Sequence, residues 1–554
     1  MTQPLPQSSA NNYVSVGPNL ARDLPRASVH YSDYLRNPVS DSFFLGPTTE
    51  DEIRSTLMKL KNSCSGWDSL SAKILKQVCN SISRPLSHIC NLSFSCGIVP
   101  SELKVARVSP IFKKGSPNVL LNYRPISLLP CFSKIIEKIV ASRLRTFLER
   151  HKILFENQFG FRKNHNTTTA VSYLVNEIVK NYENSLPVLG VFIDLQKAFD
   201  TIDHEILLAK LQHYGIRGVA LEWFASYLNN RKQFVKVRQA ESEQLTILCG
   251  VPQGSILGPL LFIMYINDIQ NCSICSKILY ADDTNMFISG SDVNDLFRRM
   301  NIELEKLSDW LIANKLSLNV AKTHYVLFQP GRNTVHDVPQ LTINGQSIER
   351  KSSTLFLGVV LDSKLNWHEH ISYIKGKIAK NIGIINKVKR VLNVSTLRTL
   401  YYAFVFPYLS YCIECWGSAA KTRTSPLLTL QKRCCRIITN SPPRTPSLPI
   451  FRRLNILPLE QLYHFSVLTF MFRFHQNSLP LPNMRMFASR SLHSSYQTRQ
   501  VNHLQLPRFR HHFSQRTIAF AGPKLWNNIS SLSLHNCSFA IFKTKLRKFL
   551  WDSV

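Results

Sequence analysis

The sequence predicts an α+β protein, and three observations carry that expectation. Val188 to Asp194 is a nearly unbroken apolar run, the mark of a strand buried on both faces of a sheet. Two short apolar runs flank Tyr280-Ala281-Asp282-Asp283 and read as a β-hairpin with adjacent carboxylates at its tip. Helical periodicity recurs between and after these strands, and beyond about residue 365 the chain is largely helical and basic.

Residues 1 to 45 carry many Pro, Ser and Asn with little periodicity, and a mostly disordered lead-in is expected there. From 46 to 100 a helical N-terminal extension is expected. Thr49 is its cap, Glu50-Asp51-Glu52 place acids in the first turn, and an apolar face continues to about residue 98. Val108 to Phe112 reads as a strand, Lys113-Lys114-Gly115 as a turn, and Ser133 to Glu149 as an amphipathic helix. Thr168 to Tyr182, His204 to Tyr214 and Leu257 to Ile269 read as helices, and Phe234 to Val237 with Leu245 to Leu248 as a hairpin. Leu296, Met300, Leu304, Leu307 and Leu311 keep helical spacing, and strands follow at Tyr325 to Phe328, Leu341 to Ile343 and Phe356 to Leu361. Proline-containing breaks near 442 to 449 and 479 to 482 divide the helical remainder.

Lys and Arg number 67 against 35 Asp and Glu, for a net charge of +32, which favours a polyanionic partner. The cations are spread along the chain, as suits a channel that tracks a nucleic-acid backbone. No apolar run approaches the roughly 18 residues of a membrane span, and the start has no signal-peptide pattern, so no membrane partner is expected. The 13 cysteines are scattered and read as free thiols of a reducing compartment. Cys272/Cys275 and Cys412/Cys415, the latter with Cys434-Cys435 downstream, leave a zinc site conceivable, but buried apolar structure is the favoured reading.

An Asp-Asp pair in a turn is often an ordinary solvated turn, and Asp194 after its strand is a candidate helix cap. Together they suggest more. With Asp194 at the end of a central strand and Asp282-Asp283 on a neighbouring hairpin, three carboxylates would converge, oxygen ligands enough for two Mg²⁺, with Mn²⁺ as an alternative. Between them lies Gly250-Val251-Pro252-Gln253-Gly254-Ser255. Its glycines permit close approach to a ligand, Gln253 offers donor and acceptor, and Ser255 can cap the next helix.

Asp194-x4-Phe199, Pro252-Gln253-Gly254-Ser255 and Tyr280-Ala281-Asp282-Asp283, in this order, resemble the motifs of reverse transcriptases. Phe192-Ile-Asp-Leu-Gln-Lys-Ala-Phe-Asp200 is similar to non-LTR retrotransposon enzymes of the jockey-like kind, as are Gly66-Trp67-Asp68, Asn122-Tyr123-Arg124-Pro125-Ile126-Ser127 and Gly522-Pro523-Lys524-Leu525-Trp526-Asn527. The resemblance implies a right-hand polymerase with an antiparallel palm sheet. Fingers and palm would fill 101–365, a thumb-like helical region 366–440, and a basic C-terminal region 441–554. It implies catalytic, metal-holding roles for Asp194, Asp282 and Asp283, and a nucleotide-binding set of Lys113, Arg124, Phe199, Gln253 and Gly254. Phe199 matches the aromatic that crowds a ribose 2′-OH. Lys322 matches a lysine that protonates pyrophosphate, and Phe356-Leu357-Gly358 a turn that grips the primer. Lys113 reads equally as a solvated turn lysine, and surface charge is the alternative for Lys322. The implied reaction is RNA-templated extension of a primer 3′-OH with dNTPs, in an intracellular ribonucleoprotein of nucleus or cytoplasm. An endonuclease domain is not expected within the roughly 45 residues ahead of the match. Two alternatives remain: a catalytically idle nucleic-acid-binding remnant, and an RNA-directed RNA polymerase, against which the aromatic Phe199 argues.

Overall fold

The computed structural model describes residues 6–62, 64–329, 337–488, 503–511, 513–529 and 537–553. The chain begins with a helix, α1 (Pro6–Arg22), where no order was expected. What overrides the polar composition is tertiary burial: Ala10 packs on Val108 and Val235, with Tyr13 and Leu245 at the margin. The apolar face expected to run to residue 98 is three helices, α2 (Glu50–Met58), α3 (Ala72–Gln77) and α4 (Cys79–Cys96). Thr49 caps α2 as expected, its side chain accepting from the Glu52 amide.

Next come β1 (Val105–Phe112), β2 (Tyr123–Leu128), α5 (Cys131–Arg150), α6 (Thr167–Glu183), β3 (Val188–Ile193), α7 (His204–His213) and α8 (Val219–Leu228). They are followed by β4 (Lys232–Val237), β5 (Ala240–Glu241), β6 (Leu245–Thr246), α9 (Gly258–Tyr265), β7 (Ser276–Tyr280), β8 (Asp283–Ser289), α10 (Val293–Ala313) and β9 (His324–Phe328). Short strands β10 (Thr342–Ile343), β11 (Gln346–Ser347) and β12 (Glu349–Arg350) precede a hairpin of β13 (Ser353–Phe356) and β14 (Val359–Asp362). That hairpin replaces the single strand expected over Phe356 to Leu361, because Leu357 and Gly358 both take positive φ and turn the chain back. The helix expected over Leu257 to Ile269 is only the eight residues of α9, then a 3₁₀ turn. It is apolar on every face, so it lies within the core rather than on its surface.

Two sheets organise these elements. The first runs β2-β1-β4-β5, with β6 also on β4. The second runs β12-β9-β3-β8-β7 and is antiparallel except at its two-residue edge strand, β12, which lies parallel to β9. β3 is its middle strand and all six residues are buried, as its apolar run implied. Side chains alternate between two cores. Leu189, Val191 and Ile193 of β3 join the core that includes α5 and α7 to α10. Val188 and Phe192 join the other core, with α6 and the C-terminal helices.

Those helices are α11 (His368–Val388), α12 (Val394–Phe404), α13 (Phe406–Ser410), α14 (Ile413–Trp416), α15 (Lys421–Ile438), α16 (Ser447–Leu454), α17 (Leu459–His475), α18 (Leu481–Met484), α19 (Ile518–Ile529) and α20 (Phe539–Asp552). None of the helices among the described residues is long and apolar enough to cross a membrane.

Candidate active site

The sheet register brings the carboxylates together. Ile193 at the end of β3 pairs with Thr284 of β8, so Asp194 leaves the sheet opposite Asp283. Tyr280 pairs with Asp283, leaving Ala281 and Asp282 as the hairpin tip, with Ala281 at φ +56°. Asp194 and Asp282 line a cavity of about 860 Å³ together with Lys113, Arg124, Phe199 and Gln253. Six expected residues, scattered over the sequence from 113 to 282, thus face one space. Gly254 and Lys322 line it too.

Asp283 does not line that cavity. Successive residues entering a strand point to opposite sides, so Asp283 flanks the site. Among the described residues, no three carboxylate, His or Cys side chains form a ready-made metal cage. The expected three-way convergence is therefore an open arrangement of two facing carboxylates and a third beside them.

The electrostatics are those of crowded like charges. Burial, then Asp282 and Asp194, push the Asp283 carboxyl up to about 6. Asp282 is also raised, by burial and by Asp194, although Lys113 and Arg124 oppose this. Lys322 Nζ lies 3.2 Å from Asp194 Oδ2 at the edge of the same cavity. Lys113 is lowered by burial and then by Arg124 and Lys322, which marks a concentration of cations around the same cavity. Hard carboxylate oxygens that repel one another in a concave site are a donor set suited to a hard divalent cation.

Phe199 lies flat on Phe262, with ring centroids 4.4 Å apart, while Phe161 meets it edge-on at 6.3 Å. The stack fixes the Phe199 ring, and Phe161 is 45% exposed at the cavity. Sequence reasoning missed Phe161, though an aromatic at a sharp turn beside Gly160 was a usable signal.

Gln253 sits differently from expectation. Its Nε2 donates to both carboxylate oxygens of Asp200, at 2.8 and 2.9 Å. A carboxylate offers no proton in that pairing, so the amide orientation is fixed and Oε1 is the group left to accept. The Gln253 carbonyl accepts from the Ser127 amide of β2 at 2.7 Å. Gly254, at φ +126°, lies so close to the Ser127 carbonyl that a side chain there would collide with it. Ser255 Oγ accepts from the amide of Gly258, the first residue of α9, at 2.9 Å, but the N-cap position expected for Ser255 is held by Leu257. Buried Glu137 accepts from the Ile256 and Leu257 amides at 2.6 and 3.3 Å, and from the Tyr227 hydroxyl at 3.1 Å.

A second support holds the hairpin. Asn157 and Phe159 bond to both polar groups of Leu279. Gln158 Oε1 then accepts from the amides of Ala281, at 3.0 Å, and Gly160, at 2.8 Å. The turn between β13 and β14 is tied to the helical region by the Tyr411 hydroxyl, which donates to the Leu357 carbonyl at 2.6 Å. Gln158, Glu137 and Asp200 were missed because each acts on a loop distant in sequence, and no local pattern encodes that pairing.

The paired cysteines lie away from this chemistry. Cys272, Cys275, Cys412, Cys415, Cys434 and Cys435 are all buried, and burial pushes Cys272, Cys412 and Cys434 up to about 12. They behave as core residues.

Residues 111–361 match the family described as reverse transcriptase (RNA-dependent DNA polymerase). The chain is 29% identical over 449 residues to the Drosophila melanogaster protein named "Probable RNA-directed DNA polymerase from transposon BS", covering 77% of this chain and 49% of that one. It is 28% identical to the RNA-directed DNA polymerase from mobile element jockey of Drosophila melanogaster, over 74% of this chain and 46% of the relative. The jockey polymerase of Drosophila funebris is 27% identical over 75% and 46%. The chain spans about half the length of these curated relatives. Over residues 111–361 the chain is thus similar to reverse transcriptases, and over about three quarters of its length to polymerases named for the BS and jockey elements.

Proposed function

We propose that the chain is an RNA-directed DNA polymerase that extends a primer 3′-OH with dNTPs on an RNA template. The observation that carries this reading is the single cavity shared by Asp194, Asp282, Lys113, Arg124, Phe199 and Gln253. In this reading residues 101–365 are fingers and palm, 366–440 the thumb, and 441–554 a basic region that helps to hold nucleic acid.

The primer 3′ hydroxyl gives up its proton to solvent as its oxygen attacks the α-phosphorus of the incoming dNTP, the bond from that phosphorus to the oxygen bridging to the β-phosphate breaks, and pyrophosphate leaves. Asp194 and Asp282, with Asp283 beside them, would hold Mg²⁺, which supplies charge stabilisation and a lowered pKa at the attacking hydroxyl. Arg124 suits a triphosphate with its planar fork of donors, and Lys113 adds charge beside it. Lys322, 3.2 Å from Asp194, is within range to give a proton to the departing pyrophosphate oxygen. Phe199, backed by Phe262, leaves little room for a 2′-OH.

Primer extension on an RNA template with Mg²⁺ and dNTPs tests the proposal. Wild-type protein should extend, and Asp282→Asn should lose at least a thousandfold in rate, about 4 kcal/mol of transition-state stabilisation. Equal extension by the two proteins removes Asp282 from the site. Wild-type protein that binds nucleic acid but adds no dNTP supports the idle remnant instead.

A further inference from the structure

The helix that begins the described chain is not remote from this cavity. Val16, Asn19, Leu20 and Asp23 of α1 and the turn after it line it, together with Lys113 and Arg124. Their spacing is i, i+3, i+4, i+7, which is one continuous face of a helix. Nearer its N-terminus the helix is seated on the first sheet, where Ser9 and Ala10 are fully buried and Ala10 packs on Val108 and Val235. Two polar contacts fix its ends. The Glu243 amide donates to Gln7 Oε1 at 2.9 Å, and Ser317 Oγ donates to the Leu20 carbonyl at 3.3 Å. The first lies beyond the β5 strand and the second beside the residues that follow β3, where the Gln196 amide bonds to the Ser317 carbonyl, so α1 bridges the two sheets across one side of the cleft.

The tightest contact lies in between. Gly17 is packed so closely on the loop after β3 that a methyl group there would overlap the Asp200 carbonyl oxygen and Cys249 Sγ. Asp200 is the residue whose carboxylate holds the Gln253 amide. The backbone of α1 therefore rests on the residue that orients the nucleotide-facing glutamine. The cleft-facing stripe is two aliphatic side chains, one amide and one acid, with no cation. Such a surface does not attract phosphate, and it faces cations that do. It suits the flat, uncharged end of a nucleotide.

We propose that α1 is a working wall of the nucleotide pocket: Val16, Leu20 and Asn19 contact the base and sugar of the incoming nucleotide, and Gly17 steadies Gln253 through Asp200. The proposal rests on the polymerase reading. It makes Gly17 a positioning residue and moves the start of the functional unit from about residue 45 to residue 6.

The test compares wild type, Gly17→Val and Asn19→Ala by single-nucleotide primer extension, and by calorimetric titration of Mg²⁺-dATP onto each protein. Gly17→Val should raise KM for dNTP about tenfold with kcat within about twofold. Asn19→Ala, whose side chain is exposed, should raise KM about threefold without moving the melting temperature. Nucleotide binding should weaken in the same ratios. Should Gly17→Val fail to fold, Asn19→Ala decides. Unchanged KM and binding overturn the proposal. Faster extension or tighter binding also overturns it, because α1 would then be a plug. Wild-type protein that binds dATP but extends no primer counts against the polymerase reading, and the binding ratios still decide the role of α1.

Discussion

Two loops meet in the cleft and are held by opposite means. The loop 250–257 is held by carboxyl side chains: the Asp200 carboxyl takes the Gln253 amide, and the buried Glu137 carboxyl takes the amides of Ile256 and Leu257. The tip of the β7–β8 hairpin is held by a neutral group, the Gln158 amide oxygen, on Ala281 and Gly160. A carboxylate accepts more strongly than an amide. The weaker acceptor stands where a charge would do harm, beside Asp282 and Asp283, which already repel Asp194 and one another. The stronger acceptors stand on the other loop, where Arg231 offsets the charge of Glu137 and Lys197 that of Asp200. The choice of staple follows from what the staple sits beside.

Exchanging the staples breaks the contrast. Gln158→Glu keeps an acceptor for both amides and adds a negative charge at the hairpin. At an effective dielectric of about 20, a like charge roughly 6 Å away costs about 3 kcal/mol. Primer extension should fall about a hundredfold, read as kcat under saturating dNTP. A variant within twofold of wild type would mean that neutrality at residue 158 is incidental. The reverse exchange, Glu137→Gln, removes the charge and turns an amide N–H₂ toward other donors. Losing charge-assisted bonds to buried amides should lower unfolding free energy by about 2 kcal/mol, measured by urea denaturation. A stability equal to wild type would make Glu137 a passenger.

The contrast also explains what the sequence could and could not disclose. Asp194, Phe199, Gln253 and Asp282 were legible because each sits in a short local pattern at the end of a strand or in a turn. β3 was legible as a central strand from its apolar run alone. Gln158, Glu137 and Asp200 were not, because their partners lie 123, 119 and 53 residues away. The helix α1 was misread for the same reason. Its composition is that of a loose segment, and only the bed formed by Val108 and Val235 makes it a helix worth forming. The hairpin at 353–362 was merged into one strand because two residues of positive φ, Leu357 and Gly358, interrupt an otherwise strand-like run.

A smaller effect is expected at the aromatic stack, which is neither charged nor hydrogen-bonded. Phe199→Ala removes the ring that Phe262 supports and opens space at the sugar. Incorporation of rNTPs relative to dNTPs should rise about tenfold, about 1.4 kcal/mol of discrimination. Competition between the two nucleotide types measures it, and an unchanged ratio removes Phe199 from sugar selection. Phe161→Ala, which removes only the edge contact, should shift the ratio less.

The last comparison sets Glu137 against a buried carboxylate with fewer partners. Glu414, in α14, has an Oε2 that is buried with no hydrogen-bond partner, and burial pushes its carboxyl up to about 7. Burial thus favours the neutral form of Glu414 in the folded state. Its contribution is complete below the unfolded value, near 4.5, and is lost as pH rises through about 7. The helical region around α14 should therefore lose stability between about pH 4.5 and 7. Full burial would make this about 3 kcal/mol, and solvent reaching other parts of the residue trims it to about 1 kcal/mol. Glu414→Gln stays neutral at every pH and should flatten that part of the curve, so the difference between the two unfolding profiles isolates the residue from Glu137, which burial also raises. A difference that does not grow across this window would show that Glu414 ionises in the folded chain as freely as in the unfolded one.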